Sequence, residues 1–284
     1  MSSAAPVSAR ELDRQRIRRS ATRRSALVAA ASTVVVAAIL YLGVTRAPGW
    51  PSVRETFFSP SHARTAFPKV LDGLWLNVRV MVICEVIILV LGMLLALART
   101  LRGPVFFPLR ALATAYTDLF RGLPLLLVLL LVGLGVPGLH LSGLPTNVVV
   151  LGGTALVLTY TAYVAEVFRA GIETVHPSQR AAARSLGLSA TQTLRHVVLP
   201  QAVRNVIPPL LNDLVSLQKD SGLISILGAT DAIQAAGIAE AKDFNFTPYV
   251  LAGVLFVLLT IPMTRLTDYV SARATRRRRS VGAV

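Results

Sequence analysis

Cysteine is almost missing from this chain: Cys84 is the single one in 284 residues. That excludes an intramolecular disulfide framework and a Cys-rich metal site, and its place inside an apolar run reads as a small buried hydrophobe. Lysine is nearly as scarce. Lys69, Lys219 and Lys242 are the whole set, and none completes a G-x-x-x-x-G-K-[S/T] phosphate loop, so the chain is not itself a P-loop ATPase. The histidines, His62, His140, His176 and His196, are scattered, with neither an HExxH zinc pattern nor a G-x-S-x-G nucleophile turn. No enzymatic centre and no metal site are expected. Charge is sparse at 15% and short of one sign, 14 acidic residues against 29 basic ones.

What fills the chain instead is apolar: 54% hydrophobic residues and a mean hydropathy of +0.62 point to a bilayer-embedded, all-α polytopic protein. Residues 1–25 carry seven arginines and read as a basic tail, disordered or lying along a membrane surface. The run 26–44 is long for a signal core and has no A-x-A site after it, so it reads as an uncleaved span. A proline-bearing loop over 45–69 follows. The second span, 71–98, carries Arg79, which can snorkel, and Glu85, for which helix pairing and transport are both open readings. The third, 109–136, is interrupted at Arg121, Gly122 and Pro124, where a kink is expected. Two readings stand for Arg121: it lines a cavity, or it pairs with Asp118 three residues earlier. The fourth span, 147–168, delivers Glu166 and Arg169 at its far end, on a pathway or simply at the interface.

The fifth span, 206–227, places Lys219 about 18 Å along a helix, near the midplane of a bilayer. Lys219 and Asp220 are adjacent and diverge on a helix, and Gly222 follows, which signals a local break; a pathway-lining role and pairing of each charge with another helix are both open readings. The sixth span, 248–264, leads into a basic tail over 269–284.

Between the fourth and fifth spans lies a polar island, VHPSQRAAARSLGLSATQTLRHVVLP, from Val175 to Pro200. His176-Pro177 can open a short helix that Gly187 closes, and Ser189 with Gln192 has capping-box spacing for a second. Leu194, Val197 and Val198 then form a stripe that Pro200 is expected to end. Arg180 and Arg184 share a helix face, and Ala181, Ala182 and Ala183 allow close approach of another protein. The spacing describes a docking helix-turn-helix.

With the N-terminus in the cytoplasm, 21 of the 29 basic residues fall on the cytoplasmic side and 5 on the other. The positive-inside rule then places both ends and the island in the cytoplasm, and it accounts for the net charge of +15 without nucleic acid.

The island resembles the EAA loop of type I ABC importer permeases, Glu-Ala-Ala, three residues, Gly, nine residues, Ile, one residue, Leu-Pro. The match runs through Ala182, Ala183, Gly187, Val197, Leu199 and Pro200. RGLPLLL from Arg121, AEVFRAGIETV from Ala165, LPQAVRN from Leu199 and LQKDSGLISILG from Leu217 are similar to the polar amino acid group, the histidine, glutamate, glutamine and arginine permeases. The likeness spans about 73–268. Two departures stand out: the motif's Glu is Ala181, and the family's RGTPLLVQ has Leu123 and Val128 in place of Thr and Gln.

The resemblance implies about six transmembrane helices, an extra N-terminal one and a five-helix permease core over 70–268, in the cytoplasmic membrane. It implies that Arg180, Ala181, Ala182, Ala183, Arg184, Gly187, Leu199 and Pro200 contact a separate ATPase, which alone binds ATP and magnesium. An extracytoplasmic substrate-binding protein, a second permease subunit and membrane lipid complete the implied partners. Arg121, Glu166, Lys219 and Asp220 are the candidate pathway or gate residues. The competing class is an ion-coupled secondary carrier or channel that would use Glu85, Arg121, Lys219 and Asp220 without an ATPase.

Overall fold

The computed structural model describes residues 9–101 and 103–281, with side chains over 24–101 and 103–273. Every regular element among them is helical. Twelve α-helices are α1 Ala9–Thr45, α2 Trp50–Phe57, α3 Pro60–Thr100, α4 Phe107–Gly122, α5 Leu125–Leu130, α6 Val136–Gly138, α7 Val148–Glu173, α8 Pro177–Ser185, α9 Ala190–Thr193, α10 Leu199–Asp220, α11 Ala232–Asp243 and α12 Thr247–Val281. The chain divides into two compact units, one ending at Thr56 and one starting at Phe57.

In the first unit α1 takes in residues expected to be a basic tail, disordered or lying along a membrane surface. No Gly or Pro occurs between Ala9 and Leu42, and Arg, Gln, Leu and Ala all favour helix, so the backbone has no reason to stop before the apolar run begins. The described apolar side chains of α1, such as Val34, Ile39 and Leu40, are all exposed, which suits lipid as their solvent.

In the second unit the stretch expected as a loop over 45–69 ends inside a helix: α3 begins with Pro60 at its first position, where a missing N–H costs nothing, and continues through Pro68. Its 41 residues correspond to about 60 Å, roughly twice the hydrocarbon thickness of a bilayer, so a good part of it stands outside the apolar layer. α7 is the central element. Its buried face meets α3 where Gly92 lies against Val164 and Cys84 Sγ against Gly153 O at 3.6 Å, and it meets α10 where Gly171 lies under Val206. Small residues at these contacts let backbones approach, the device available to helices packing in lipid. Ile88, Leu129, Leu156, Leu217 and Ile224 are sealed in the resulting core.

Among the described residues, four helices are long and apolar enough to cross a membrane, or six if each of two bent pairs counts as one span. At the first pair the expected kink is a sharp break: Pro104–Gly122 and Leu125–Gly138 meet at 105°. Leu123 is forced to an extended backbone (φ −90°, ψ 136°) by the ring of Pro124, and Pro124 is itself extended, so two successive residues leave the helix. The second pair bends by 49° between Ala190–Leu227 and Ala232–Asp243. There the helix tightens into a 3-10 segment over Ser221–Leu227, beside Lys219 and Asp220 as the sequence suggests, and Gly228 closes it with a left-handed backbone.

Candidate functional site

Local chemistry builds the 175–200 loop. His176 caps α8, its Nδ1 accepting from the Ser178 N–H at 3.2 Å, and Pro177 takes the first helical position. The helix ends in a Schellman turn: Gly187 N–H donates to Arg184 O at 3.0 Å and Leu188 N–H to Ala183 O at 3.2 Å, with Gly187 at φ +84°. Only glycine holds that angle without steric cost. The next helix opens at once on a complete capping box, Ser189 Oγ accepting from Gln192 N–H at 3.2 Å and Gln192 Oε1 from Ser189 N–H at 2.8 Å.

Pro200 does not end that second helix. The turn Leu194–Val198 widens to π geometry, with Leu199 N–H reaching back five residues to Leu194 O, and α10 then runs on to Asp220. A widened turn removes the clash between the proline ring and the carbonyl four residues earlier, so the helix absorbs the proline instead of stopping. The loop is therefore continuous with the rod that carries Lys219 and Asp220.

The two arginines of α8 do not present one outward face. Arg180 is half-buried and donates from Nη2 to Ile172 O at 2.5 Å, tying α8 back to the end of α7. Arg184 is exposed and donates to Leu188 O at 3.0 Å. Ala181 and Ala182 are exposed while Ala183 is buried, so the small surface is two alanines wide. Leu199 is half-buried and Pro200 exposed. At the tip Leu186 is 83% exposed, a large apolar side chain offered to solvent that the motif spacing did not single out. Below the loop, Ile172, Val175, Val198 and Ala202 form their own buried cluster, and Asn205 donates to Thr174 Oγ1 at 3.1 Å.

Glu166 is the hub of the charges behind it. Arg99 from the end of α3 reaches Glu166 Oε2 at 2.9 Å, Arg169 one turn on binds both carboxylate oxygens, and Arg121 lies 3.7 Å from Oε2. Arg169 also bridges to Glu173. Of the two readings for Arg121, the pair with Asp118 is not the contact it makes: with the helix broken at Leu123, the guanidinium extends across to α7, where it also lies 6.0 Å from the Tyr163 ring. Opposite charges drawn from α3, α4 and α7 thus converge at one end of the bundle.

Lys219 and Asp220 stand apart from that hub. Lys219 is exposed, whereas Asp220 turns inward and accepts a 2.7 Å hydrogen bond from Tyr160 Oη of α7. The neighbouring Gln218 is buried and its Oε1 accepts from Thr260 Oγ1 of α12 at 2.7 Å. A further polar knot lies close by: Asn77 Nδ2 donates to Ser221 O and to Asp231 Oδ2, each at 3.0 Å, and both side chains are sealed. Asn77 and Tyr160 were missed in the sequence because each is a lone polar residue whose partner is more than 50 residues away; Asp231 was missed although it caps α11 locally, accepting from Gln234 N–H at 2.9 Å. Among the described residues no group of His, Cys, Asp and Glu could hold a metal ion.

Comparison with known proteins follows the same outline. The family model described as binding-protein-dependent transport system inner membrane component matches residues 88–276. The arginine transport system permease protein ArtQ of Bacillus subtilis is 33% identical over 198 residues, 69% of this chain and 88% of that protein. A probable glutamine ABC transporter permease protein, GlnM, of the same organism is 34% identical over 210 residues, 73% of this chain and 94% of its own length. The glutamate transport system permease protein GluC of Corynebacterium efficiens is 35% identical over 207 residues, 69% and 90% of the two chains. A crystal structure of an amino acid ABC transporter with histidines superposes with a TM-score of 0.67 at 30% identity, covering 73% of this chain and 94% of the other.

Proposed function

This chain belongs to the binding-protein-dependent transport system inner membrane component family, and from that premise we propose that it is the permease subunit of an ABC importer for a polar amino acid. The observation that carries the reading is the likeness to permeases named for arginine, glutamine and glutamate, which runs over nearly their whole length. The protein is a polytopic, helical membrane component, and families of this kind are transporter subunits rather than catalysts. ATP and magnesium belong to a separate ATPase, substrate arrives on an extracytoplasmic binding protein, and a second permease subunit completes the path. Both termini and the 175–200 loop face the cytoplasm in this reading, following the distribution of basic residues. Residues 70–268 are the permease core. The span 26–44 and the tails 1–25 and 269–284 are additions to it, and 45–69 connects on the outer side.

The mechanism follows from continuity. Closure of the ATPases displaces the loop, which presents Ala181, Ala182, Arg184 and Leu186 at its surface and is stiffened by the Gly187 turn. Glu166, with Arg99 and Arg169, ties α7 to α3 just ahead of the loop, and Arg180 ties α8 back to the end of α7. The displacement then travels along α10, about 33 Å of helix, to Lys219 and Asp220, where the 3-10 segment lets the rod bend. Tyr160 releasing or holding Asp220 is suited to gating a pathway there.

Uptake of radiolabelled arginine, glutamine, glutamate and histidine into proteoliposomes holding the full complex tests the reading. Uptake of at least one should require both internal ATP and the binding protein. Uptake driven by an ion gradient without ATP would place the chain among secondary carriers instead.

A further inference from the structure

A cavity of about 600 Å³ opens between the root of the loop and the ends of α3 and α7. Four arginines line it: Arg99, Arg169, Arg180 and Arg184, with Glu173 as its one acidic residue. Even with Glu166 counted behind Arg99 and Arg169, two positive charges remain uncompensated by neighbouring carboxylates, and no Asp or Glu occurs between Glu173 and Asp213. Two polar groups in the lining lack partners. Thr193, only 5% exposed, has an Oγ1 with no hydrogen bond, and the Nε of Arg180 is buried without an acceptor. A buried N–H and hydroxyl left unsatisfied are costly, and a shared acceptor would satisfy both. Leu101, Leu194 and Val198 give the same cavity an apolar wall.

We propose that this cavity is a phosphate-binding site, with Arg180, Arg184 and Thr193 as its donors. A tetrahedral oxyanion accepts from several guanidinium N–H groups at once, the geometry for which arginine is better suited than lysine. Two sources supply that chemistry: the phosphodiester of an anionic phospholipid, or free inorganic phosphate. The apolar wall and the position at the end of α3 suit a lipid headgroup held between helices at the membrane surface. Because the bound group would join α8 to α3 and α7, it would brace the loop at its root. The site shares Arg184 with the surface proposed to meet the ATPase, but its test needs neither the ATPase nor a transported substrate.

Native mass spectrometry of the delipidated full chain, titrated with phosphatidylglycerol or with inorganic phosphate, tests the site without any transport readout. Phosphatidylglycerol should bind the wild type about tenfold more tightly than Arg180→Gln or Thr193→Val, while Arg265→Gln, an exposed cation on α12, should match the wild type. If phosphatidylglycerol does not discriminate, inorganic phosphate should raise the thermal unfolding midpoint of the wild type and not of Thr193→Val, which would identify the free anion as the source. Thr193→Val keeps the shape of the side chain and all four arginines, so loss of binding there does not report misfolding. Equal binding of both probes by wild type, Arg180→Gln and Thr193→Val would overturn the proposal.

Discussion

Gly187 and Glu166 carry opposite kinds of information. At Gly187 the backbone sits at φ +84° with open space around it, so the objection to a side chain there is conformational and not steric. Valine would cost about 1–2 kcal/mol locally through the left-handed backbone, and more importantly would reset the angle between α8 and the helix that follows. Gly187→Val should assemble with its partners yet lose most receptor-dependent uptake, about tenfold or more; normal uptake in an assembled Gly187→Val complex would contradict the loop's role. Glu166→Gln should lower the stability of the purified protein by about 1–3 kcal/mol, because it leaves Arg99 and Arg169 facing each other, with side chains only 15% and 28% exposed. Arg121→Gln should cost under about 1 kcal/mol, since its contact is 3.7 Å and its side chain 41% exposed. Thermal unfolding of the two variants side by side checks the order, and equal losses would show that the hub is not centred where its geometry puts it. The Gly187 turn and the Ser189–Gln192 box were legible in the sequence because every partner lies within five residues. The Glu166 hub was not, because it assembles residues from three helices.

At the scale of elements, prolines were the least readable letters. Pro124 was expected to kink a span and instead marks a 105° break, while Pro200 was expected to end a helix and instead sits in one. The difference lies in what precedes each: Leu123 yields to an extended backbone, whereas Leu194–Val198 widens by one residue per turn and keeps the helix whole. Helical glycines differ in what they touch: Gly122 and Gly253 have open space, whereas Gly73 and Gly153 lie in helix contacts. A Cβ on Gly73 would fall 2.3 Å from the backbone carbon of Asp231, against atoms that cannot rotate away, while one on Gly153 would meet Cys84 Sγ at 3.4 Å. Gly73→Ala should therefore displace α3 from the start of α11 and cost about 1–3 kcal/mol, with Gly153→Ala near neutral. Thermal midpoints in detergent decide this, and tolerance of Gly73→Ala would mean that the contact between α3 and α11 is looser than described.

For the whole molecule, charge and hydropathy were enough to read a helical membrane protein with its polar loop in the second half, since both follow from solvation of single residues. What solvation could not supply is which faces meet: the buried Asn77–Asp231 pair, Gln218 with Thr260, and Tyr160 with Asp220 are long-range choices made by packing. Together these pairs cross-link α3, α7, α10, α11 and α12 close to the point where α10 yields to the 3-10 segment. A loop continuous with α10 at one end, and a polar seam at the other, is the arrangement expected of a subunit that turns a push from outside the membrane into a change of access within it. Receptor-stimulated ATP hydrolysis by the complete complex in proteoliposomes tests that claim most directly. Binding protein loaded with its amino acid should raise hydrolysis several-fold over the unloaded protein, with the stimulation lost in Gly187→Val. Hydrolysis indifferent to the loaded binding protein, or equally stimulated in Gly187→Val, would contradict it.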